Sequence, residues 1–403
     1  MPRTLLALCI VAGALIRIAA FPLPGSTDVR YFQVWARAAA SEGPSSLYAL
    51  SDLPGERRTL ERDGVRTKVD YPPLALHVLG WAARASPDRV LYGIKAITVL
   101  ADAALACLLF LAGRRSPGAP LALWLNPASV LIGSVLGYLD PWFALPAVAA
   151  LVAAVSGRAG AAGALAAAAC LVKPLAIFAL PSVAAAVWHT GDSSGRRRRV
   201  VLACAGAAAI AVVVLAPVAW RGGATSLVWA MGSLLRDPSL SANGVSVWTL
   251  VEAAIPGTPV DEARVAGALL TLGALAWLWW HARHVRDVWG LAALAGCATL
   301  AYATLAVAVH ENHAYLAIPM LALASAGRPP FRGPFVAVSA IVAMNLYVTY
   351  GFGVDVPFGP PASVAELHPL EWLSVVNLAT CAWTMSIFLR EVRAGYRGAV
   401  PGP

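Results

Sequence analysis

Long apolar stretches recur along almost all of this 403-residue chain and leave few folds open to it. Hydrophobic residues make up 59% of the sequence and charged residues only 13%. A helix that spans a bilayer needs about 20 consecutive apolar residues. Inside lipid the backbone must satisfy its own hydrogen bonds, as a helix does within a single segment. The composition therefore predicts an integral membrane protein that is an all-α, polytopic bundle of transmembrane helices.

Hydropathy and charge divide the chain into spans and one broken hairpin. The predicted spans cover residues 4–22, 90–112, 119–137, 141–156, 200–220, 264–282, 289–308, 314–326, 334–352 and 371–389. The stretch 160–188 is different, because Lys173 and Pro174 interrupt it and each half is too short to cross alone. We expect it to form two short helices that enter and leave on the same side. About 12 helical segments then form one domain over residues 1–403.

Arginine-rich short loops set the expected orientation. The net charge is +9, and its densest run, Arg196–Arg199, stands directly before a span, as the positive-inside rule predicts. This placement indicates a membrane orientation signal and argues against nucleic acid as a partner. The rule places the segment 23–88 outside as a long external loop with interfacial helices. We expect a bacterial plasma-membrane protein whose site faces the outside or the periplasm.

Ionisable residues at the predicted outer side are candidates for function, because charges are costly near lipid. Asp28 shares a helix face with Tyr31, Phe32 and Trp35 at spacings of three, four and seven residues. Such a face suits the membrane interface and would place Asp28 near the headgroups. Asp28 could instead only cap the helix that begins after Ser26.

Further polar residues occur at helix breaks on the same side. Asp70 and Tyr71 close the external loop before Pro72-Pro73, and Asp140 follows the third span, where each could also be a plain turn residue. Lys173 could bind an anionic headgroup or extend to the interface as a structural lysine.

The run His310-Glu311-Asn312-His313 is the densest polar cluster in an apolar region. Its two histidines are three residues apart, whereas a zinc-binding helix uses a spacing of four. The six cysteines all lie in apolar segments and show no zinc or disulfide spacing. We therefore predict no metal site and no cofactor.

The order of these motifs resembles the polyprenyl-phosphate-sugar-dependent glycosyltransferases of the GT-C fold, above all the family 87 bacterial mannosyltransferases. The motifs that carry the resemblance are Asp28 with Tyr31 and Trp35, Tyr71-Pro72-Pro73-Leu74, Leu125-Asn126-Pro127, Asp140-Pro141-Trp142, Lys173-Pro174, Ser241-Ala242-Asn243 with Trp248, and His310-Glu311-Asn312-His313. The resemblance implies a GT-C-like bundle with Asp28 as the catalytic base. It also implies a mannosyl donor, and the His-Glu-Lys run of that family reads His310-Glu311-Asn312 here.

The expected chemistry also follows from the location. An external site has no access to nucleotide sugars, so the expected partners are a polyprenyl-phosphate-linked sugar donor and membrane lipids. Asp28 could accept the proton of the acceptor hydroxyl, while Lys173, His310, His313 and Arg236 could bind the donor phosphate. Tyr31, Asp70, Tyr71, Asp140, Asn243, Trp248 and Glu311 are expected to bind substrate or support the site.

Two questions stay open from the sequence. The acceptor could be a glycolipid, a polysaccharide or a protein. The main alternative to an inverting hexosyltransferase is a membrane transporter or a flippase for lipid-linked sugars, because transporters also contain broken helices and charges within the membrane.

Overall fold

The fold is an all-α bundle, as predicted, with one small β-hairpin. The computed structural model describes residues 2–52, 56–113, 117–353 and 368–399. In chain order the elements are α1 (Arg3–Ala19), α2 (Thr27–Glu42), β1 (Leu60–Arg62), β2 (Val65–Thr67), α3 (Pro73–Ala85), α4 (Val90–Ala112), α5 (Gly118–Trp124), α6 (Pro127–Val135), α7 (Asp140–Val155), α8 (Ala159–Val172), α9 (Leu180–His189), α10 (Arg196–Trp220), α11 (Ala224–Met231), α12 (Val247–Ala254), α13 (Val260–Ala282), α14 (Val288–Leu305), α15 (Ala317–Gly327), α16 (Arg332–Tyr350) and α17 (Pro369–Ala399).

Helix length and composition identify an integral membrane protein. Within the described ranges, six helices are long and apolar enough to cross a bilayer, namely α4, α10, α13, α14, α16 and α17. The pair α5 and α6 forms a seventh candidate span with a bend of 41°. The bend has a local cause, since Pro127 begins α6 and the side chain of Asn126 accepts its first backbone N–H groups at 2.9 and 3.4 Å.

The predicted hairpin is confirmed. Lys173 is extended, with φ −150° and ψ 126°, and it separates α8 from a 3₁₀ turn and α9. At the far ends, the hydroxyl of Thr190 after α9 donates to the carbonyl of Ala154 at 3.2 Å, next to where α8 begins. The chain therefore leaves this hairpin at the end of the bundle where it entered.

Small residues let α8 and α10 pack at backbone distance. A Cβ added at Gly163 would lie 1.8 Å from the carbonyl oxygen of Ala203, and one at Gly206 would lie 2.1 Å from that of Gly160. Close approach through glycine is a common way to pack helices in lipid, where van der Waals contact replaces the hydrophobic effect. This contact holds the short hairpin against a full-length helix.

The segment 23–88 contains a β-hairpin that we did not predict, besides the helices that we did. Leu60 pairs with Thr67 across the turn Asp63-Gly64, where both residues have positive φ, 54° and 75°. An Asp-Gly turn of this kind matches the twist of two paired strands. Asp63 also pairs with Arg37 of α2, so the hairpin is attached to the helix that carries Asp28.

A buried ion pair joins the first helix to the bundle. Arg17 of α1 lies 3.2 Å from Asp102 of α4, and both side chains are almost fully buried. Arg17 also donates to the carbonyl of Trp124 at 2.6 Å, and the hydroxyl of Tyr315 donates to Asp102 at 3.1 Å. Charged side chains within a membrane are costly unless they are paired inside the protein. This network pairs them and connects α1 to α4, α5 and the turn before α15.

Lys95 fixes the exit from α1. Its buried ammonium group donates to the carbonyls of Ala20, Phe21 and Leu23 at 3.1, 3.3 and 2.5 Å. These carbonyls belong to the turn that follows α1, and that of Ala20 also accepts the backbone N–H of Leu23 at 3.2 Å. Lys95 therefore sets the point from which α2 begins.

The candidate residues lie at one end of the bundle, which we call the site end. Here α1, α8, α14 and α16 end and α7 begins. The backbone N–H of Ser26 donates to the carbonyl of Leu136 at 3.1 Å, which places the start of α2 beside the α6–α7 connection. The turn between α9 and α10, with Ser193, lies at the opposite end.

The positive-inside rule predicts that the site end faces away from the cytoplasm. A cysteine at the exposed Thr27 should react with an impermeant external thiol reagent, whereas one at the exposed Ser193 should react only after the membrane is permeabilised. Labelling of the parent protein measures the background from its own cysteines. The reverse pattern would invert the orientation.

Candidate functional site

An open cavity of about 630 Å³ lies at the site end. Five parts of the chain contribute to its walls: α2, the segment from Arg57 to Pro72, the break at Lys173, the segment from Trp229 to Pro238, and the run His310–His313. Its charged and titratable lining residues are Asp28, Arg57, Arg66, Asp70, Lys173, Arg236, Asp237, His310, Glu311 and His313. Carboxylates and cations thus share one cavity.

Asp28 lies in the wall of this cavity as the second residue of α2. Ser26 occupies the N-cap position, and no side-chain hydrogen bond caps the helix there. The alternative that Asp28 serves as a cap therefore has no geometric support. Burial raises the pKa of Asp28 above its ordinary value of 3.8, although nearby His310 opposes the shift. A raised pKa makes the carboxylate a stronger base.

Glu311 is a buried second carboxylate held by two tyrosines. Its Oε1 accepts hydrogen bonds from the hydroxyls of Tyr138 at 2.8 Å and Tyr350 at 3.3 Å. The two tyrosine hydroxyls lie 3.0 Å apart. Tyr138 and Tyr350 therefore fix the position of the Glu311 carboxylate in the wall of the cavity.

Lys173 and Asp140 form a buried ion pair. The Lys173 ammonium donates to Asp140 Oδ1 at 2.8 Å, and Asn312 donates to Asp140 Oδ2 at 3.1 Å. The sequence left open whether Lys173 binds an anion or is structural, and this geometry gives it a structural role. The bond to Asp140 uses one of its three N–H donors, and Lys173 also lines the cavity.

His310 and His313 occupy the same corner with different surroundings. His310 is 35% exposed, and its Nε2 lies 3.5 Å from Asp237 Oδ2. His313 is buried, and its Nδ1 accepts the backbone N–H of His310 at 3.2 Å. Because that acceptor role excludes a proton on Nδ1, the His313 proton resides on Nε2. Burial lowers the pKa of His313 well below its ordinary value, in agreement with a neutral ring.

The aromatic face of α2 points into the protein more than into the interface. The rings of Phe32 and Trp35 are buried and lie 5.3 and 5.8 Å from that of Tyr71. Only Tyr31 is substantially exposed, at 41%. All four rings line the cavity, so the spacing correctly predicted a shared face but not the protein environment that it meets.

Arg57 and Arg236 are two of the three arginines that line the cavity, together with Arg66. Arg57 pairs with Asp70 at 2.5 Å, so Asp70 is engaged with a cation. Arg236 donates to the Trp229 carbonyl and lies 4.1 Å above the Trp229 ring. That bond uses one of its five guanidinium donors, and Arg236 also lines the cavity.

Asn243 and Trp248 lie behind the site. Neither lines the main cavity; Asn243 lines a neighbouring pocket of about 440 Å³, and Trp248 donates to the carbonyl of Leu305 at 2.7 Å. The backbone of Asn243 pairs with that of His310. Asn243 therefore contacts the run His310–His313 through its backbone, and Trp248 contacts the end of α14.

Three contributors escaped the sequence analysis: Asp237, Tyr138 as a hydrogen-bond donor, and Tyr350. Asp237 follows Arg236 in a predicted outer loop, so orientation alone could have suggested it. Tyr350 ends an apolar span, and no local pattern distinguishes it from an interfacial tyrosine.

Comparison with known proteins identifies the fold. The crystal structure of ArnT from Cupriavidus metallidurans bound to undecaprenyl phosphate superimposes with a TM-score of 0.55. The alignment covers 96% of this chain and 76% of that one, at 16% sequence identity. The chain has the GT-C membrane fold. No protein-family model and no curated protein sequence matches the chain, so the narrower resemblance to family 87 stays a prediction.

The buried Lys173–Asp140 ion pair predicts an energetic coupling between the two residues. Lys173→Met should cost roughly 3–5 kcal/mol of stability, because it leaves the Asp140 carboxylate buried without its cation. Adding Asp140→Asn should recover most of that loss, since no buried charge then remains. Thermal unfolding of the two single variants and the double variant measures this coupling. Independent, additive losses would show that the pair is not an energetic unit.

Proposed function

We propose that this protein transfers a sugar from a polyprenyl-phosphate donor to an acceptor hydroxyl on the non-cytoplasmic side of the membrane, with Asp28 as general base. One observation supports the proposal most: the half-buried Asp28 carboxylate, whose pKa is raised by desolvation, shares a cavity with Lys173, His310 and Arg236. A glycosyl phosphate needs both kinds of group, a base for the acceptor and cations for the departing phosphate. The GT-C fold agrees with this chemistry, and ArnT of the same fold is bound to undecaprenyl phosphate.

The reaction is a single displacement. The acceptor oxygen forms a bond to the anomeric carbon while the bond from that carbon to the phosphate oxygen breaks. Asp28 accepts the hydroxyl proton as positive charge develops on the sugar, and the polyprenyl phosphate leaves with the electron pair. Attack opposite the leaving group inverts the anomeric centre.

Binding of the phosphate falls to the cationic wall. Lys173 offers the donors that Asp140 does not use, and Arg236 offers guanidinium N–H groups in the cavity wall. His313 presents the N–H of its neutral ring. Stabilising the leaving phosphate dianion in this way lowers the barrier without a general acid.

The identity of the sugar rests on the motif resemblance, which favours mannose. The acceptor is a hydroxyl of a glycolipid, polysaccharide or protein, and the open cavity is compatible with a bulky one. Residues Tyr31 and Tyr71 offer aromatic surfaces on which a sugar ring can pack beside Asp28.

Substitution at Asp28 tests the central role. In purified protein supplied with labelled polyprenyl-phosphate sugars, Asp28→Asn should reduce transfer by at least the ~10²-fold typical of general-base catalysis, with donor binding retained. Asp88→Asn is the matched control, because Asp88 is an exposed carboxylate of the same segment, 23–88. Normal turnover of Asp28→Asn would refute the assignment. Movement of the lipid across the membrane without transfer would instead favour a flippase.

The pH profile gives a second test. Since burial raises the pKa of Asp28, kcat/KM should fall as pH is lowered through a value above the ordinary 3.8, where the base becomes protonated. Burial raises the pKa of Glu311 as well, so Glu311→Gln should be measured alongside. The acid limb should persist in that variant. Its disappearance there would assign the titration to Glu311 and not to Asp28.

A further inference from the structure

His310 is placed between two carboxylates, one at each ring nitrogen. Its Nε2 lies 3.5 Å from Asp237 Oδ2, and its Nδ1 lies 4.0 Å from Glu311 Oε2. A neutral imidazole would turn a lone pair toward one of these oxygens, whereas an imidazolium presents an N–H to both. The nearer carboxylate belongs to Asp237, a residue with no role in the reaction proposed above.

The Asp237 carboxylate is held in place from its other side. Its Oδ1 accepts the backbone N–H of Ser239 at 2.9 Å and the Ser239 hydroxyl at 2.5 Å. Arg264 donates to the Asp237 backbone carbonyl at 2.7 Å. With Oδ1 and the backbone occupied, Oδ2 is the oxygen that faces His310.

The backbone of His310 is equally constrained. It pairs with the backbone of Asn243, and its N–H donates to His313. Gly244 makes this approach possible, because a Cβ there would lie 2.1 Å from the carbonyl oxygen of Val309. The backbone that carries the ring is therefore fixed and Nε2 lies nearest to Asp237, while Nδ1 lies beyond hydrogen-bond distance of Glu311.

We propose that Asp237 is a positioning residue that keeps His310 doubly protonated and oriented, so that His310 donates its Nδ1–H to the phosphate of a lipid-linked ligand. This inference rests on the proposed function for the choice of ligand. Asp237 does not itself touch the substrate; it acts through His310.

The surrounding charges agree with this assignment. The charged and titratable groups around His310 are Asp28 on α2, Lys173 at the α8–α9 break, Arg236 and Asp237 before α12, and Glu311 and His313 on its own segment. Burial lowers the pKa of His310, but the contact with Asp237 and the charge of Glu311 outweigh burial and raise it. The contact with His310 in turn holds the pKa of Asp237 well below its ordinary value.

Binding of undecaprenyl phosphate to the protein in nanodiscs, measured against pH, tests the proposal. Affinity should fall as pH rises through the raised pKa of His310, because the imidazolium is lost. The variant Asp237→Asn keeps an oxygen that can accept from Ser239. In this variant the alkaline fall in affinity should begin at lower pH. At a pH above the fall, binding should be weaker by up to about tenfold for each pH unit by which the fall is displaced. His310→Gln should remove the limb, and Asp237→Asn should add little in that background. Asp192→Asn, at the opposite end of the bundle, is the matched control.

The outcomes separate the two proposals. The positioning role would be overturned if the alkaline limb of Asp237→Asn stayed at the pH of the parent protein. It would also be overturned if Asp237→Asn lost as much affinity in the His310→Gln background as it does alone. A lower unfolding temperature with an unshifted limb would make Asp237 merely structural and overturn it too. If the limb moves but labelled sugar is never transferred, the positioning role stands and the proposed transferase function falls.

Discussion

The ion pair between Lys173 and Asp140 is the contact on which the site most depends. It lies where a helix hairpin turns back, at an irregular stretch of backbone that lipid would not tolerate unless protein surrounds it. Asp140 accepts from Lys173 on one oxygen and from Asn312 on the other. Three separate parts of the chain are thereby joined: the hairpin, the start of α7 and the run that carries both histidines. Removing either charge would leave the other buried and uncompensated, so the arrangement is strongly specified.

The same principle explains how a base can exist among cations. Lys173 has Asp140, Arg57 has Asp70, and His310 has Asp237 as its nearest acid. The positive charges that face Asp28 are therefore partly neutralised before any ligand arrives. Burial then remains the largest influence on the pKa of Asp28 and keeps its proton affinity high. A phosphate that enters the cavity meets N–H donors that are already oriented, and little reorganisation is required.

Much of the architecture could be predicted because membrane helices follow simple rules. Apolar length located seven of the ten predicted spans, whereas those at 4–22, 141–156 and 314–326 correspond to helices too short to meet the same length criterion. Pro174 after Lys173 located the hairpin. The distribution of arginine in the loops correctly predicted that Asp28, Asp140, Lys173 and His310 lie at the same end of the bundle. The hairpin at Asp63-Gly64 was missed even though its turn signal is present, because short polar strands give little hydrophobic alternation. Asn243 and Trp248 were expected to bind substrate or to support the site, and neither lines the main cavity. Shared sidedness does not determine which face of a segment meets a cavity.

The sequence by itself determined that the chain is a membrane protein and how it is divided into helices. It also determined which ionisable residues lie at one end. These properties depend on local composition, on proline and on the distribution of arginine, all of which can be read along the chain. Tertiary structure alone decided the partners: Asp140 for Lys173, Asp237 for His310, and Tyr138 and Tyr350 for Glu311. Those contacts join residues that are 33 to 173 positions apart. They depend on distances of a few ångströms between helices, which hydropathy and motif order do not encode.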